Sequence, residues 1–204
     1  ERTVLIGAVV RLLLAWVVFS VAGFMYGREI STLLLPVIDT VVEYFWEIYD
    51  AGLFIVDNNG NDMIKMVATL TLPVVIAPDT IVPPGTQLPA GSNVIHTLVP
   101  LVILCTVLVA VPASGIGERI AQLLLGIVGA VAVIALTAPF VLAGHIEIFF
   151  QNTAARAGVD RPEPFHLTWM VAMESGGRWV MGLIIALIVA RLAKWFVRED
   201  EGST

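Results

Sequence analysis

A single cysteine, Cys105, stands among 204 residues, so no disulfide can close within the chain and no thiolate cage for zinc or an iron–sulfur cluster can be built from it. Charge is also scarce. Asp, Glu, Lys and Arg make up 14% of the chain, against about a quarter in soluble globular domains. Positive charge is the scarcer kind, with 11 Lys and Arg against 17 Asp and Glu and a net charge of −6. No phosphate-neutralising surface follows from that balance, and nucleic acid is set aside as a partner. There is no Gly-x-Ser-x-Gly elbow and no Gly-x-x-x-x-Gly-Lys loop, and Gly115-Ile116-Gly117 lacks the strand-to-helix setting of a dinucleotide site. Serine catalysis and nucleotide-driven chemistry therefore have no support.

What the chain does have is apolar length: 58% of its residues are hydrophobic. A helix crossing a hydrocarbon core of about 30 Å needs about 20 mostly apolar residues. Four runs answer to that description and predict a mainly α integral membrane protein with four transmembrane helices. The first lies within 1–26, with Arg11 near enough to its start to snorkel, and is expected to be a retained anchor rather than a cleaved signal. The second and third fall within 96–144, as a hairpin around the tight turn Ala113 to Arg119. The fourth is a long helix over 165–197, followed by an acidic tail over 198–204. The Lys and Arg distribution favours both termini in the cytoplasm. Arg2, Arg11, Arg119, Arg191, Lys194 and Arg198 then lie on short inner segments, while Arg28, Lys65, Arg156, Arg161 and Arg178 are spread through longer outer ones.

The outer segments, 27–95 and 145–164, hold most of the polar chemistry. Ser31 to Tyr49 reads as an amphipathic helix with Ser31 as N-cap. Asp39, Glu43 and Glu47 form an acidic stripe on it, opposite Leu35, Ile38, Val42, Phe45 and Trp46. The stripe is most simply a solvated face. Leu53 to Leu72 reads as two β-prone runs joined at Asn58, Asn59, Gly60 and Asn61, residues that accept the positive φ of a hairpin turn. Asp57, Asn59 and Asn61 imitate the start of a calcium loop, but Gly60 is misplaced and Ala68 stands where a bidentate Glu is needed. A lone hairpin is marginal in water. A third strand is expected within Val74 to Val82 of the proline-rich return segment, and the exposed edge is a ready place for strand addition.

Two constellations stand out. His145, Glu147, His166 and His96 gather at one expected membrane face and are candidate copper or zinc ligands. His145 and Glu147 point about 200° apart on a helix, however, and match no ligand spacing, so interfacial histidines are the simpler reading. Met170, Met173 and Met181 are soft donors that, at helical spacing, more often pack. The second constellation is Glu174 and Arg178, four residues apart around Gly176 and Gly177. That is either a local ion pair easing the helix past the interface, or a small-residue notch that admits a neighbouring helix and is locked by the pair. Cys105 sits mid-span with no base in reach along its own segment, so a buried inert thiol is favoured over a nucleophile.

The order of elements resembles the small accessory membrane proteins that accompany exosortases, in particular the exosortase H associated type. The likeness is carried by an N-terminal span, a β-prone outer lobe, a two-span hairpin with a short inner turn, and a last span preceded by Ala154-Ala155-Arg156-Ala157-Gly158. It implies a non-catalytic partner in a cell-envelope processing or sorting system, and no catalytic residue is carried over. The sequence thus predicts an accessory or assembly subunit in the bacterial inner membrane, with an extracytoplasmic hairpin-containing lobe. Its partners would be other integral membrane subunits and the bilayer, with no cofactor. The competing reading is a metal-handling membrane protein.

Overall fold

Apolar runs become helices wherever the backbone must satisfy its own hydrogen bonds, and this chain has membrane-length runs. In the computed structural model, which describes residues 2–77 and 79–202, three helices are long and apolar enough to cross a membrane: Ile6–Met25, Ile116–Arg156 and the composite Phe165–Val197. The protein is mostly helical, with a small region of two sheets. In chain order the elements are α1 (Arg2–Met25), α2 (Gly27–Phe45), β1 (Tyr49–Asn58), β2 (Asn61–Leu70), β3 (Val74–Ala77), β4 (Thr80–Val82), β5 (Gln87–Asn93), α3 (Val94–Ala110), α4 (Ile116–Arg156), α5 (Phe165–Ala172) and α6 (Arg178–Gly202). A π-helical turn, Met173–Gly177, joins the last two. The second expected span, α3, is apolar but only 17 residues long.

The chain divides into two units. The first holds α1, most of α3, α4 as far as Val133, and α6. Close helix packing in this unit rests on small residues: a Cβ on Gly182 would lie 2.5 Å from the Pro100 carbonyl oxygen, and one on Gly129 would lie 3.0 Å from Val189. Arg119 secures the turn between α3 and α4. Its guanidinium donates to the carbonyls of Leu108 (2.9 Å) and Val111 (3.2 Å), groups that the end of α3 leaves without helical partners. Glu118 accepts from the Ser114 backbone N–H at 2.8 Å and from its hydroxyl.

The second unit holds α2, the strands, the rest of α4, α5 and the π turn. The apolar face expected of α2 is buried at Ile38 and Val42. The helix begins four residues earlier than expected, so Ser31 is a buried interior residue and not an N-cap. The hairpin forms as the sequence indicates. Asn59 and Gly60 take φ of 55° and 82°, and the Asp57 carboxylate accepts the Gly60 N–H at 2.7 Å. One face of β2, Ile64, Met66, Ala68 and Leu70, is fully buried, and each of the three larger side chains contributes about 1.5–3 kcal/mol.

The third strand differs from expectation. Val74 to Val82 folds on itself as β3 and β4, and the strand added to the hairpin is β5, in the order β1-β2-β5. Proline is tolerated there because Pro89 faces Val67, a residue whose backbone bonds to β1. The nitrogen of Pro89 therefore points away from the ladder, and no sheet bond is lost.

Three expected boundaries also move. The helix of the third expected span does not stop at Gly144, and 145–164 is not all loop, because α4 continues to Arg156. Gly144 serves packing: a Cβ there would lie 2.5 Å from the Met170 Cβ on α5. The fourth helix is not continuous, since Gly176 has φ 111° and ψ −4°, which breaks the helical path. The acidic segment 198–204 begins as helix, α6 running to Gly202, and its last two residues lie outside the described ones.

Candidate functional site

The chain's densest polar grouping is built around Glu147, in the second unit. Its place on α4 is fixed by the buried Ile146 and Phe150, which anchor that helical face in the core. The Glu147 side chain is only 3% exposed. A carboxylate so withdrawn from water needs a cation and full hydrogen bonding. Arg161, on the extended link after α4, supplies both: Nε donates to Oε1 at 2.6 Å and a terminal nitrogen donates to Oε2 at 3.3 Å. Gln151, one turn further along α4, donates to Oε1 at 3.2 Å and to the Pro162 carbonyl at the same distance. His166, in the first turn of α5, brings Nε2 to 3.6 Å from Oε2. The Arg161 guanidinium carbon stands 5.5 Å from the centre of the Phe150 ring, a cation–π approach.

An aromatic wall adjoins this cluster. Trp46 packs edge-on against Phe140 (5.2 Å) and against His166 (5.9 Å), and Phe140 meets Phe165 at 6.2 Å. Trp169 donates its indole N–H to the Leu136 carbonyl at 2.8 Å, in the stretch of α4 that contains Pro139. Tyr49, buried at the start of β1, has its phenol pushed well above the ordinary tyrosine value. Burial is the main cause; the negative charge of Glu147 adds to it and Arg161 opposes it. The Arg161 guanidinium is held above its own ordinary value, chiefly by its hydrogen bond to Glu147, with burial acting against it.

The residues singled out in the sequence separate into distinct environments. His166 and Glu147 do meet. His145 turns away from Glu147, as its helical position requires, and pairs with Glu174 at 3.4 Å. His96 is exposed at the start of α3. Among the described residues no group of three or more His, Cys, Asp and Glu side chains is placed to hold a metal ion. Gly176 and Gly177 do not lie within a regular helical turn. A Cβ on Gly177 would meet Ala172 and Met173 of its own chain, at 2.6 Å from each. Gly176, with φ 111°, permits the bend itself. Arg178, buried at the start of α6, follows the bend. Cys105 is half-buried in α3.

Arg161, Gln151, Tyr49 and Trp46 were not among the sequence candidates. Their one sequence signal is an arginine set directly before Pro162 and Pro164, where the chain cannot turn helical and a long side chain can be held across the link. No protein-family model matches the chain, and no curated protein and no solved structure matches it.

Proposed function

We propose that this chain is a non-catalytic accessory or assembly subunit of a larger bacterial membrane complex. The observation that carries the reading is that both oxygens of Glu147 accept hydrogen bonds from the chain's own side chains, Oε1 from Arg161 and Gln151 and Oε2 from Arg161. A carboxylate so occupied is an architectural staple rather than a general base, whose role needs a lone pair open to substrate. A groove of about 370 Å³ in the first unit is lined by Leu12, Leu13, Trp16, Ile103 and other apolar side chains. Its hydroxyl, on Thr106, already donates to the Val102 carbonyl at 2.7 Å. That lining offers contact and no chemistry. The exposed apolar length of α1 is equally suited to lipid or to another helix.

In this reading α3, the second of four spans, also crosses the membrane. At about 1.5 Å per residue it reaches some 26 Å, short of the usual hydrocarbon thickness, and the bilayer thins or flanking side chains snorkel to meet it. Both termini are cytoplasmic, and the sheets with α2 and α5 form an extracytoplasmic lobe. The element order that resembles exosortase-associated accessory proteins points to a cell-envelope processing complex as the host. Extraction in a mild detergent, followed by identification of co-purifying membrane subunits, tests the proposal. A stoichiometric companion is expected, and a monodisperse lone chain would overturn it. Metal analysis of the same sample separates it from metal handling: stoichiometric copper or zinc lost in His145→Ala would also overturn it.

A further inference from the structure

The sheet has one guarded edge and one unguarded edge. The outer strand β5 carries Pro89, which withholds a donor from any newcomer, whereas β1 at the other edge has no proline, no lysine or arginine, and an unbroken register with β2. These are the devices by which sheet edges are ordinarily protected. A two-residue loop makes Asn58 and Asn61 a hydrogen-bonded pair, and pairs alternate along the ladder, so the even-numbered residues of β1 bond to β2. Leu70 agrees with this phase, since it bonds away from β1, to Thr86 and Gly85. Ala51, Leu53 and Ile55 therefore turn their N–H and C=O groups outward. Their side chains share a face with the buried Ile64, Met66 and Ala68 but are themselves only half covered. A strand added here would complete both the ladder and that apolar face.

Charge selects the occupant. The uncharged stretch 51–56 is bracketed by Asp50 and Asp57, both exposed. A second copy of this strand would bring two more carboxylates and no Lys or Arg to that edge, so it offers nothing to neutralise Asp50 and Asp57. We infer that the β1 edge binds an extended segment of another protein, with alternating apolar side chains flanked by basic residues. This rests on the accessory-subunit reading and names a partner contact for it.

The test uses the full chain in detergent and two labelled synthetic peptides of alternating valine and threonine, one capped at both ends by lysine and the other by glutamate. Binding is followed by fluorescence anisotropy and by amide hydrogen exchange. The lysine-capped peptide is expected to bind and to slow exchange at Ala51, Leu53 and Ile55. Ala51→Pro removes one outward donor without touching a ladder bond, and should weaken binding about tenfold. Asp50→Lys, an exposed change that leaves the backbone alone, should weaken it comparably and keeps the test valid if the proline variant misfolds. Equal binding of both peptides, no protection at those amides, or edge protection without peptide that fades on dilution would each overturn the assignment, the last in favour of a second copy. Loss of peptide binding while membrane subunits still co-purify would overturn the edge assignment alone. Peptide binding by a chain that extracts without companions would overturn the subunit reading instead.

Discussion

Arg161 Nε lies 2.6 Å from Glu147 Oε1 although fourteen residues separate them in sequence. The bond ties the link after α4 back onto that helix, and it thereby sets where α5 can begin and where His166 and Trp169 are presented. A buried pair of this kind adds little net stability over an apolar replacement, yet stranding one member is costly.

Replacing Arg161 with methionine leaves Glu147 charged and buried. The expected loss is about 3 kcal/mol, the low end for a broken buried pair because Arg161 is partly exposed. Glu147→Met should cost a similar amount. The double variant should cost distinctly less than the sum, and chemical unfolding of the three variants in detergent measures the difference. Additive losses would mean that the two side chains stabilise the fold independently.

Tyr49 makes the same region sensitive to alkali. Its phenol is raised in the folded protein, so the folded state holds the proton more tightly than the unfolded chain does. The stabilisation is complete below the unfolded tyrosine value of about 10 and is lost as pH climbs from there through the higher folded value. Wild-type stability should thus fall more steeply above about pH 10 than that of Tyr49→Phe. Absorbance titration of the tyrosinate should lose its most alkaline step in the same variant.

Much of the second unit was legible because its signals are local. The 3.6-residue spacing of Ile38 and Val42 fixed the buried face of α2, and Asn59-Gly60 between β-prone runs fixed the hairpin. What escaped depends on partners distant in sequence. Gly144 reads as a helix stop, but it is a notch for Met170, 26 positions on. Gln87–Asn93 reads as proline-broken return chain, yet an edge position makes Pro89 harmless. Of the polar cluster, Glu147 and His166 were visible as titratable residues, whereas no periodicity links either to Arg161, Tyr49 or Trp46. The four-residue spacing of Glu174 and Arg178 gave no local sign that Gly176 between them would leave the helical path.

That departure is open to direct test. Gly176 has φ 111°, a region costly for any residue with a Cβ, so Gly176→Ala should destabilise by about 1–3 kcal/mol although no atom obstructs the new methyl group. Gly7→Ala, in open surroundings within α1, is the control and should be neutral or slightly stabilising. Thermal unfolding of the two variants separates backbone strain from a general effect of removing glycine.

Gly182 tests a different requirement, the closeness of α6 to α3. Its φ is ordinary, but an added Cβ would stand 2.5 Å from the Pro100 carbonyl oxygen and 2.9 Å from its Cα, both rigid backbone atoms. Relief therefore requires the helices themselves to move, whereas a clash with a flexible side-chain tip could be absorbed locally. Gly182→Ala should cost about 1–3 kcal/mol in unfolding experiments, as overpacking does. Gly126→Ala meets only the end of Leu108, at 3.0 Å, and should cost clearly less. A cysteine pair at positions 103 and 183 offers a second readout, since cross-linking across the seam should slow in Gly182→Ala if the helices part. Equal tolerance of the two alanines would show that the α3–α6 contact adjusts freely and that Gly182 is not needed for it.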